Sequence, residues 1–317
     1  MIDVKKLNKE YVSYERGDGF LEAVKSLIHR KKKVFKAVDD VSFHIGKGEI
    51  VGFLGPNGAG KSTTLKIISG IMYPDSGDVH IMGYVPWKDR KKYVRNIGAV
   101  FGQKSQLLWD LPPIDAFTFQ KSVYKIPEDK YNEQLEELTS LLEIKDIMKR
   151  PTRQLSLGER MRCEFVMAML HDPKVVFLDE PTIGLDIFAK ATIRKFIRKI
   201  NKDKGVNFII TSHDLEDIEN LCQRVIIINK GRIVFDDSMG NMRISNKKYV
   251  TVTFHSPVKQ KDFKGAKLIS DYIVRMEIDT SKNSVDKIIK GLSKGKKIVD
   301  LEIRDPPIKE IIERLYS

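Results

Sequence analysis

The chain contains one glycine-rich run that ends in a lysine and two hydroxyl side chains. The run fits the phosphate-loop pattern G-x-x-x-x-G-K-[ST] and lies between a short apolar strand-like segment, 49–54, and a helix-like segment, 64–68. Glycines let successive backbone N–H groups face one anion, and the start of a helix adds its positive dipole end. The predicted phosphate-binding residues are Gly55, Pro56, Asn57, Gly58, Ala59, Gly60, Lys61, Ser62 and Thr63.

Two adjacent carboxylates, Asp179 and Glu180, follow the continuous apolar run 174–178. Carboxylates at the end of a buried strand can coordinate Mg²⁺ and polarise an attacking water. A solvated acidic turn is the alternative, but neighbouring negative charges repel each other unless a cation lies beside them. Within the loop, Lys61 is predicted to contact the β- and γ-phosphates and Ser62 to hold Mg²⁺.

A second helix start also has the composition of an anion site. Ser156 precedes a helical pattern and Glu159 stands three residues later, which fits a capping box. A well-capped helix alone explains this pattern, but a serine hydroxyl and the Gly158 backbone at a helix N-terminus can also bind an anion. His213 stands between an apolar strand-like run and Asp214, and this position favours a functional histidine over a core one.

Alternating strands and helices must position these residues. Apolar runs at 174–178, 206–211 and 224–228 are typical of buried parallel strands, and helical patterns lie between them. Strand-like patterns also occur at 1–14, 34–45, 78–81 and 97–101, and residues 113–150 are predicted to be helical. The Asn-Lys-Gly run at 229–231 indicates a hairpin turn.

The composition changes near residue 238, which predicts a domain boundary. We expect one domain at 1–238 and an accessory α+β domain at 239–317. The second is predicted to have strands at 248–255, 266–269, 272–278 and 298–303 and helices at 284–293 and 307–316. This domain contains no constellation of chemical groups, so a structural or dimer-supporting role is expected.

Bulk properties exclude several classes of protein. The 317 residues carry a net charge of +13, have no apolar run near membrane-span length, and begin without the apolar core of a secretory signal. Cys163 and Cys222 lack metal-ligand spacing and indicate reduced cytosolic thiols. The basic residues are scattered, which favours solubility over nucleic-acid binding. The exception is the stretch 20–33, a basic amphipathic pattern that fits either an anionic membrane surface or an apolar surface of the same protein.

The ordered motifs together resemble those of ABC ATPases over residues 1–238. They are the phosphate loop, Gln103 after the strand ending at Phe101, the signature-like Leu155–Arg160, the acidic pair, Gly184–Asp186, and Thr211–Asp214. The resemblance implies an α/β P-loop NTPase fold of ABC ATPase type, with a RecA-like parallel sheet core, an antiparallel β subdomain and a helical lobe at about 104–172. It also implies ATP and Mg²⁺ as ligands and ATP hydrolysis as the activity.

The resemblance assigns the catalytic roles residue by residue. Glu180 resembles the general base, His213 the switch histidine that contacts the γ-phosphate, and Gln103 the glutamine that senses Mg²⁺ and the γ-phosphate. Ser62, Gln103 and Asp179 are the implied Mg²⁺ ligands. Tyr11 is the predicted adenine-stacking aromatic, with Tyr14 as the competing candidate.

In the family, the signature helix of one subunit completes the nucleotide site of the other. Ser156 and Gly158 resemble the groups that touch the γ-phosphate across this junction, and Asp186 resembles the aspartate beside them. Leu157 and Glu159 depart from the usual Gly and Gln. Leu157 is expected to point into the interface or the helical lobe. The carboxylate of Glu159 is unfavourable near a triphosphate unless Arg160 or Arg162 offsets it.

The resemblance also implies partners. The chain carries both halves of the site, so a homodimer suffices, and a heterodimer with a similar ATPase is the alternative. A separate multispan permease is expected to dock on the segment 105–113, unless Trp109 is buried inside the protein instead. The motifs resemble an export-type bacterial subgroup, which places the chain at the cytoplasmic face of the membrane.

A soluble ABC ATPase acting on ribosomes or nucleic acid is the competing class. Its members generally have two cassettes or a long coiled coil, and this sequence shows neither. A phosphate-loop kinase or recombinase fits the order of motifs less well. The transported substrate is a property of the permease and cannot be read from this sequence.

Overall fold

The structure is a computed structural model, and it describes residues 1–14, 32–102, 105–212, 214–243, 247–259, 263, 265–279 and 296–316. Gln103, His213, most of the basic stretch 20–33 and the predicted helix 284–293 lie outside these residues. The chain divides into two compact units, Met1–Asp237 and Ser238–Ser317. Among the described residues, no helix combines the length and apolar character that crossing a membrane requires.

The first unit alternates strands and helices in the predicted order. Its strands are β1 Ile2–Tyr14, β2 Lys32–Ile45, β3 Ile50–Leu54, β4 Ser76–Ile81, β5 Ile97–Phe101, β6 Val175–Asp179, β7 Asn207–Ser212, β8 Arg224–Asn229 and β9 Arg232–Ser238. Its α-helices are α1 Lys61–Ile68, α2 Arg90–Tyr93, α3 Pro113–Tyr124, α4 Glu128–Leu141, α5 Leu157–Met169, α6 Ile187–Lys204 and α7 Leu215–Leu221.

A six-stranded sheet carries the site, with the strand order β5-β6-β7-β3-β8-β9. The β5–β6, β6–β7, β7–β3 and β3–β8 pairs are parallel. All residues of β3 and β7 are buried, as expected for continuous apolar runs covered on both faces. Parallel pairing brings the carboxyl ends of β3, β6 and β7 to one edge, where the phosphate loop and the acidic pair follow their strands.

A three-stranded antiparallel sheet, β2-β1-β4, forms a second layer. Its inward side chains share one apolar core with α1 and the larger sheet. Phe43 of β2 meets Phe53 of β3 edge to face, with ring centroids 5.3 Å apart, so the two sheets are in direct contact. The helices α3, α4 and α5 fall between β5 and β6, where the sequence predicts a helical lobe.

The second unit contains a four-stranded antiparallel sheet with the order β11-β12-β10-β13. Its elements are β10 Lys247–Phe254, β11 Ala266–Ser270, β12 Ile273–Asp279, β13 Ile298–Arg304 and the helices α8 Met239–Arg243 and α9 Ile308–Tyr316. Each predicted strand lies within one residue of its observed position. Val250, Val252 and Val274 are in its apolar core, and α9 buries Ile308 and Ile312.

Candidate nucleotide site

Neighbouring backbone atoms leave no room for a side chain at two glycines of the phosphate loop. A Cβ on Gly60 would lie 2.2 Å from the carbonyl oxygen of Ala37, and one on Gly55 would lie 2.3 Å from that of Ile228. Gly58 and Gly60 also have φ angles of 78° and 109°, in the left-handed region that glycine adopts without strain. The loop can therefore curl tightly between β3 and the start of α1.

The predicted hairpin turn between β8 and β9 supports this loop. Lys230 and Gly231 both have positive φ, as a type I′ turn requires. The Gly231 N–H donates to the Ala59 carbonyl at 2.9 Å, and the Gly231 carbonyl accepts from the Asp39 N–H at 2.9 Å. The turn therefore connects the phosphate loop to β2.

Lys61 lies at the start of α1 with its ammonium group folded into the loop. Nζ donates to the carbonyl oxygens of Gly55 at 2.7 Å and Pro56 at 3.1 Å. Burial lowers the pKa of Lys61, and the nearby carboxylates of Glu180 and Asp179 oppose that shift. A buried ammonium beside open backbone N–H groups is suited to bind phosphate oxygens.

Three oxygen-bearing side chains converge where α1, β6 and β7 meet. Ser62 Oγ donates to Asp179 Oδ1 at 2.9 Å, and Thr211 Oγ1 donates to the same oxygen at 2.5 Å. Hydroxyl and carboxylate oxygens are the ligands that Mg²⁺ prefers, together with the phosphates of a bound nucleotide. Ser62 and Asp179 therefore fit the predicted Mg²⁺ role. The described residues contain no group of three or more His, Cys, Asp or Glu side chains arranged to hold a metal without the nucleotide.

Glu180 follows Asp179 in an unusual backbone conformation. Its φ is +52°, which is rare for a side chain other than glycine, and its N–H donates to Thr211 Oγ1 at 3.1 Å. Gly102 packs against the same turn: its N–H donates to the Asp179 carbonyl at 2.9 Å. This turn places Glu180 in the lining of the cavity described next.

The phosphate loop, the end of β5 and the turn at Asp179 and Glu180 all line one cavity of about 850 Å³. The residues that line it are Asn57, Gly58, Ser62, Lys66, Ile71, Phe101, Gly102, Asp179, Glu180 and Ile183. The motifs did not single out Lys66, Ile71 or Ile183, nor did they assign a role to Thr211. Thr211 lies directly opposite Asp179 in the β6–β7 register, and pairing the predicted strand ends would have found it.

Tyr11 lies near this cavity but its role stays a prediction. Its side chain is 40% exposed, and its hydroxyl donates to Met72 Sδ at 3.2 Å, beside the cavity residue Ile71. An exposed aromatic ring there is available for stacking on a base. The side chain of the competing candidate, Tyr14, lies outside the described residues, as do Gln103 and His213.

The signature-like segment forms a second cluster, outside the cavity lining. The capping box is present: Glu159 N–H donates to Ser156 Oγ at 3.2 Å, and Ser156 N–H donates to Glu159 Oε2 at 2.8 Å. The carboxylate of Glu159 is thus engaged at the helix start. Arg162 donates to two backbone carbonyls, and the Arg160 guanidinium lies 5.9 Å above the Trp109 ring.

The loop 184–186 packs against this cluster. A Cβ on Gly184 would meet Leu157 Cδ2 at 3.1 Å, so Leu157 points toward this loop. Asp186 caps α6 by accepting from the Ala189 N–H at 2.8 Å, and a Cβ on Gly158 would lie 2.9 Å from Ala189 Cβ. Ser156, Gly158 and Asp186 are therefore neighbours, as their predicted joint role requires.

Burial makes both cysteines unreactive. It raises the pKa of Cys163 to about 12 and raises that of Cys222 as well. Both thiols stay protonated at neutral pH and pack as small apolar groups.

Comparisons with known proteins agree with this geometry. A model of the ABC transporter family matches residues 38–183. The chain is 32% identical over 212 residues to the ABC transporter ATP-binding protein NatA of Bacillus subtilis (strain 168), covering 67% of this chain and 86% of that relative. It is 30% identical over 215 residues to the bacitracin transport ATP-binding protein BcrA of Bacillus licheniformis, covering 68% of this chain and 69% of BcrA.

A solved structure shows the same fold at lower identity. It is the dimeric ATP-binding cassette MJ0796 in a post-hydrolysis state bound to ADP and Pi, with a TM-score of 0.63 and 23% identity, covering 75% of this chain and 99% of that one. The chain belongs to the ABC transporter ATP-binding proteins. It binds ATP, and its ATPase activity is coupled to transport. The predicted fold class is confirmed.

Proposed function

We propose that this chain is the ATP-hydrolysing subunit of an export complex, in which ATP-driven closure of a head-to-tail dimer powers a separate membrane permease. Ser62, Asp179 and Glu180 line one cavity, and the buried Lys61 lies close enough for the charges of Asp179 and Glu180 to act on its ammonium group; this arrangement is the observation that carries the proposal. These groups supply the cation, the metal ligands and the general base that phosphoryl transfer to water requires.

Each group then has a defined task. Lys61 and the loop amides bind the phosphates, and Ser62 and Asp179, with Gln103, would hold Mg²⁺. The bound ion supplies charge neutralisation on the phosphate oxygens. Glu180 accepts a proton from the attacking water, and His213 contacts the γ-phosphate. Tyr11 stacks on the adenine.

The signature-like segment lies apart from the nucleotide cavity of its own subunit, and this separation supports dimerisation. Ser156 and Gly158 offer a hydroxyl and backbone N–H groups at a helix start but do not line their own cavity. The adjacent side chains Ile187 and Phe188, at the start of α6, are 82% and 85% exposed. Such neighbouring apolar side chains favour burial against another protein surface. We infer that a second subunit, identical or similar, covers them when ATP is bound.

A second apolar surface is available for the permease. Trp109 is 57% exposed, and its neighbours Leu108 and Leu111 are exposed as well, with Phe119 on α3. An exposed tryptophan among aliphatic side chains is typical of an interface anchor. This surface supports peripheral binding at the cytoplasmic face of the membrane. The export-type motifs support the outward direction, and the relative BcrA is named for bacitracin transport.

Co-purification from native membranes tests the proposal. The tagged chain should recover a stoichiometric multispan membrane protein, and Trp109→Ser should reduce that recovery by at least tenfold, because an interface anchor often contributes 2 kcal/mol or more. Exposed Val299→Ser, in the second unit, is the matched control. Recovery of ribosomes or nucleic acid instead, with no membrane protein, would establish the soluble ABC class.

A further inference from the structure

A buried carboxylate connects the loop after β5 to the signature helix α5. Glu164 lies on α5 and is 3% exposed. Its Oε1 accepts three donors: Ser105 Oγ at 2.5 Å, the Gln106 N–H at 2.8 Å and the Leu107 N–H at 3.4 Å. Burial raises the pKa of Glu164, and these three hydrogen bonds oppose the shift.

The loop held by Glu164 joins two functional regions. It begins directly after Gln103 and Lys104, and it leads into the exposed Leu108 and Trp109. The Gln106 side chain also donates to the Ala99 carbonyl of β5 at 2.6 Å. The loop is therefore fixed on one side to the sheet that carries the nucleotide cavity.

A second set of contacts fixes the far end of the loop to α5 and to the turn before it. The Arg160 guanidinium lies over the Trp109 ring, and the Arg153 N–H donates to the Trp109 carbonyl at 3.0 Å. Arg153 also pairs with Asp110 at 3.2 Å, and the Thr152 N–H donates to the Leu111 carbonyl at 3.1 Å. Arg153 and Asp110 are exposed, whereas Thr152 is buried like Glu164, so the loop has one buried attachment at each end.

We propose that Glu164 is a positioning residue for ATP-driven closure, fastening the loop 105–107 to α5 so that the loop and the helix start at Ser156 move together. Glu164 lies eight residues from Ser156, a distance of about 12 Å along a rigid helix. A displacement of the loop by the permease is thereby transmitted to Ser156 and Gly158. This inference rests on the proposed function, because it assumes that the loop faces the permease.

The carboxylate suits this task better than an apolar residue would. Oε1 accepts from two backbone N–H groups and the Ser105 hydroxyl, while Oε2 is buried without a hydrogen-bond partner. Glutamine keeps an acceptor oxygen at the same place, whereas leucine fills the volume and accepts nothing. A comparison of glutamate, glutamine and leucine at position 164 therefore distinguishes the effect of hydrogen bonding from that of packing.

Hydrogen exchange on the full chain tests the inference. Glu164→Leu, Glu164→Gln and the control Phe165→Leu are each combined with Glu180→Gln, so that ATP stays bound. Phe165 is buried on the same helix and packs against Phe196 of α6. In Glu164→Leu, the amide of 106 should exchange roughly tenfold faster, because it loses its hydrogen bond to Oε1, and the amide of 107 should change less, because it also donates to Ser105 Oγ at 3.2 Å. Glu164→Gln should restore most of the protection.

The response to ATP gives the decisive comparison. In the Glu180→Gln parent, ATP with Mg²⁺ should slow exchange at 105–107 and at 156–159 together, whereas in Glu164→Leu the response at 105–107 should be lost and that at 156–159 kept. Phe165→Leu should keep the joint response even if it unfolds more easily. An equal response of the loop in Glu164→Leu, or no response in the parent, would overturn the inference. The membrane co-purification fails separately if the permease proposal is wrong.

Discussion

Gly102 is placed where an added methyl group would disturb both carboxylates of the site. A Cβ there would lie 2.3 Å from the Glu180 carbonyl oxygen and 3.3 Å from that of Asp179. Gly102→Ala should therefore shift the turn after β6, reducing kcat for ATP hydrolysis by at least tenfold and destabilising the fold by about 1–3 kcal/mol. Steady-state hydrolysis and urea unfolding measure the two effects. Gly240→Ala, where the nearest atom is 3.7 Å away, is the control.

The carboxylate of Glu180 is expected to act on the water and to contribute little to ATP affinity. Glu180→Gln preserves size and the positive-φ backbone but removes the base. We expect kcat to fall at least a hundredfold, ATP affinity to stay within about threefold, and an ATP-bound dimer to accumulate. Nucleotide titration and sedimentation measure these quantities. Normal turnover in this variant would exclude Glu180 as the base, and Lys61→Ala should lose binding and hydrolysis together.

The sequence could predict the phosphate loop because its function depends on local spacing. The glycines, Lys61 and Ser62 are neighbours along the chain, so their spacing in the sequence is enough to predict their local arrangement. The contact between Thr211 and Asp179 was not predicted, because the two residues are 32 positions apart and meet through the β6–β7 register. The contacts of Glu164 were not predicted for the same reason, since its donors lie more than fifty residues earlier. The roles of Gln103 and His213 stay predictions.

The helices α6 and α7 are joined through a buried acid. The Asp217 side chain is 1% exposed, and it accepts from Arg194 Nε at 3.0 Å and from the Thr182 hydroxyl. Thr182 follows Glu180 by two residues, so this cluster anchors the chain directly after the turn at Asp179 and Glu180. The capping box of α5 could be predicted from adjacent residues, whereas this cluster required the packed helices.

Replacing the buried acid should destabilise the helix pair. Asp217→Asn leaves Arg194 beside a neutral partner, so the free energy of unfolding should fall by about 2–3 kcal/mol. Glu216→Gln removes an exposed partner of the same arginine, 3.2 Å away, and should cost no more than about 0.5 kcal/mol. Urea unfolding monitored by circular dichroism compares the two. Similar losses in both variants would contradict a special role for the buried pair.

The whole chain combines one unit that follows its family with a second that has no chemical motif. The alternation of strands in 248–254, 266–270 and 273–279 could be predicted because an antiparallel sheet with one buried face reads as a period of two. Its role could not be predicted, since its sequence contains no motif of chemical groups. The exposed pair Ile187 and Phe188 likewise reads as an ordinary helix start in sequence, and only the structure shows that nothing in the described chain covers it.

This exposed pair should control assembly rather than folding. A symmetric dimer would bury Phe188 twice, so Phe188→Ser in a Glu180→Gln background should lose roughly 3–6 kcal/mol of association free energy. The ATP-bound dimer should then dissociate at concentrations at least a hundredfold higher. Sedimentation velocity with ATP measures this, while an unchanged unfolding midpoint shows that the subunit is intact. Phe119→Ser, on the surface assigned to the permease, should leave dimerisation unaltered. If Phe119→Ser weakens the dimer and Phe188→Ser does not, the two surfaces have been assigned in reverse.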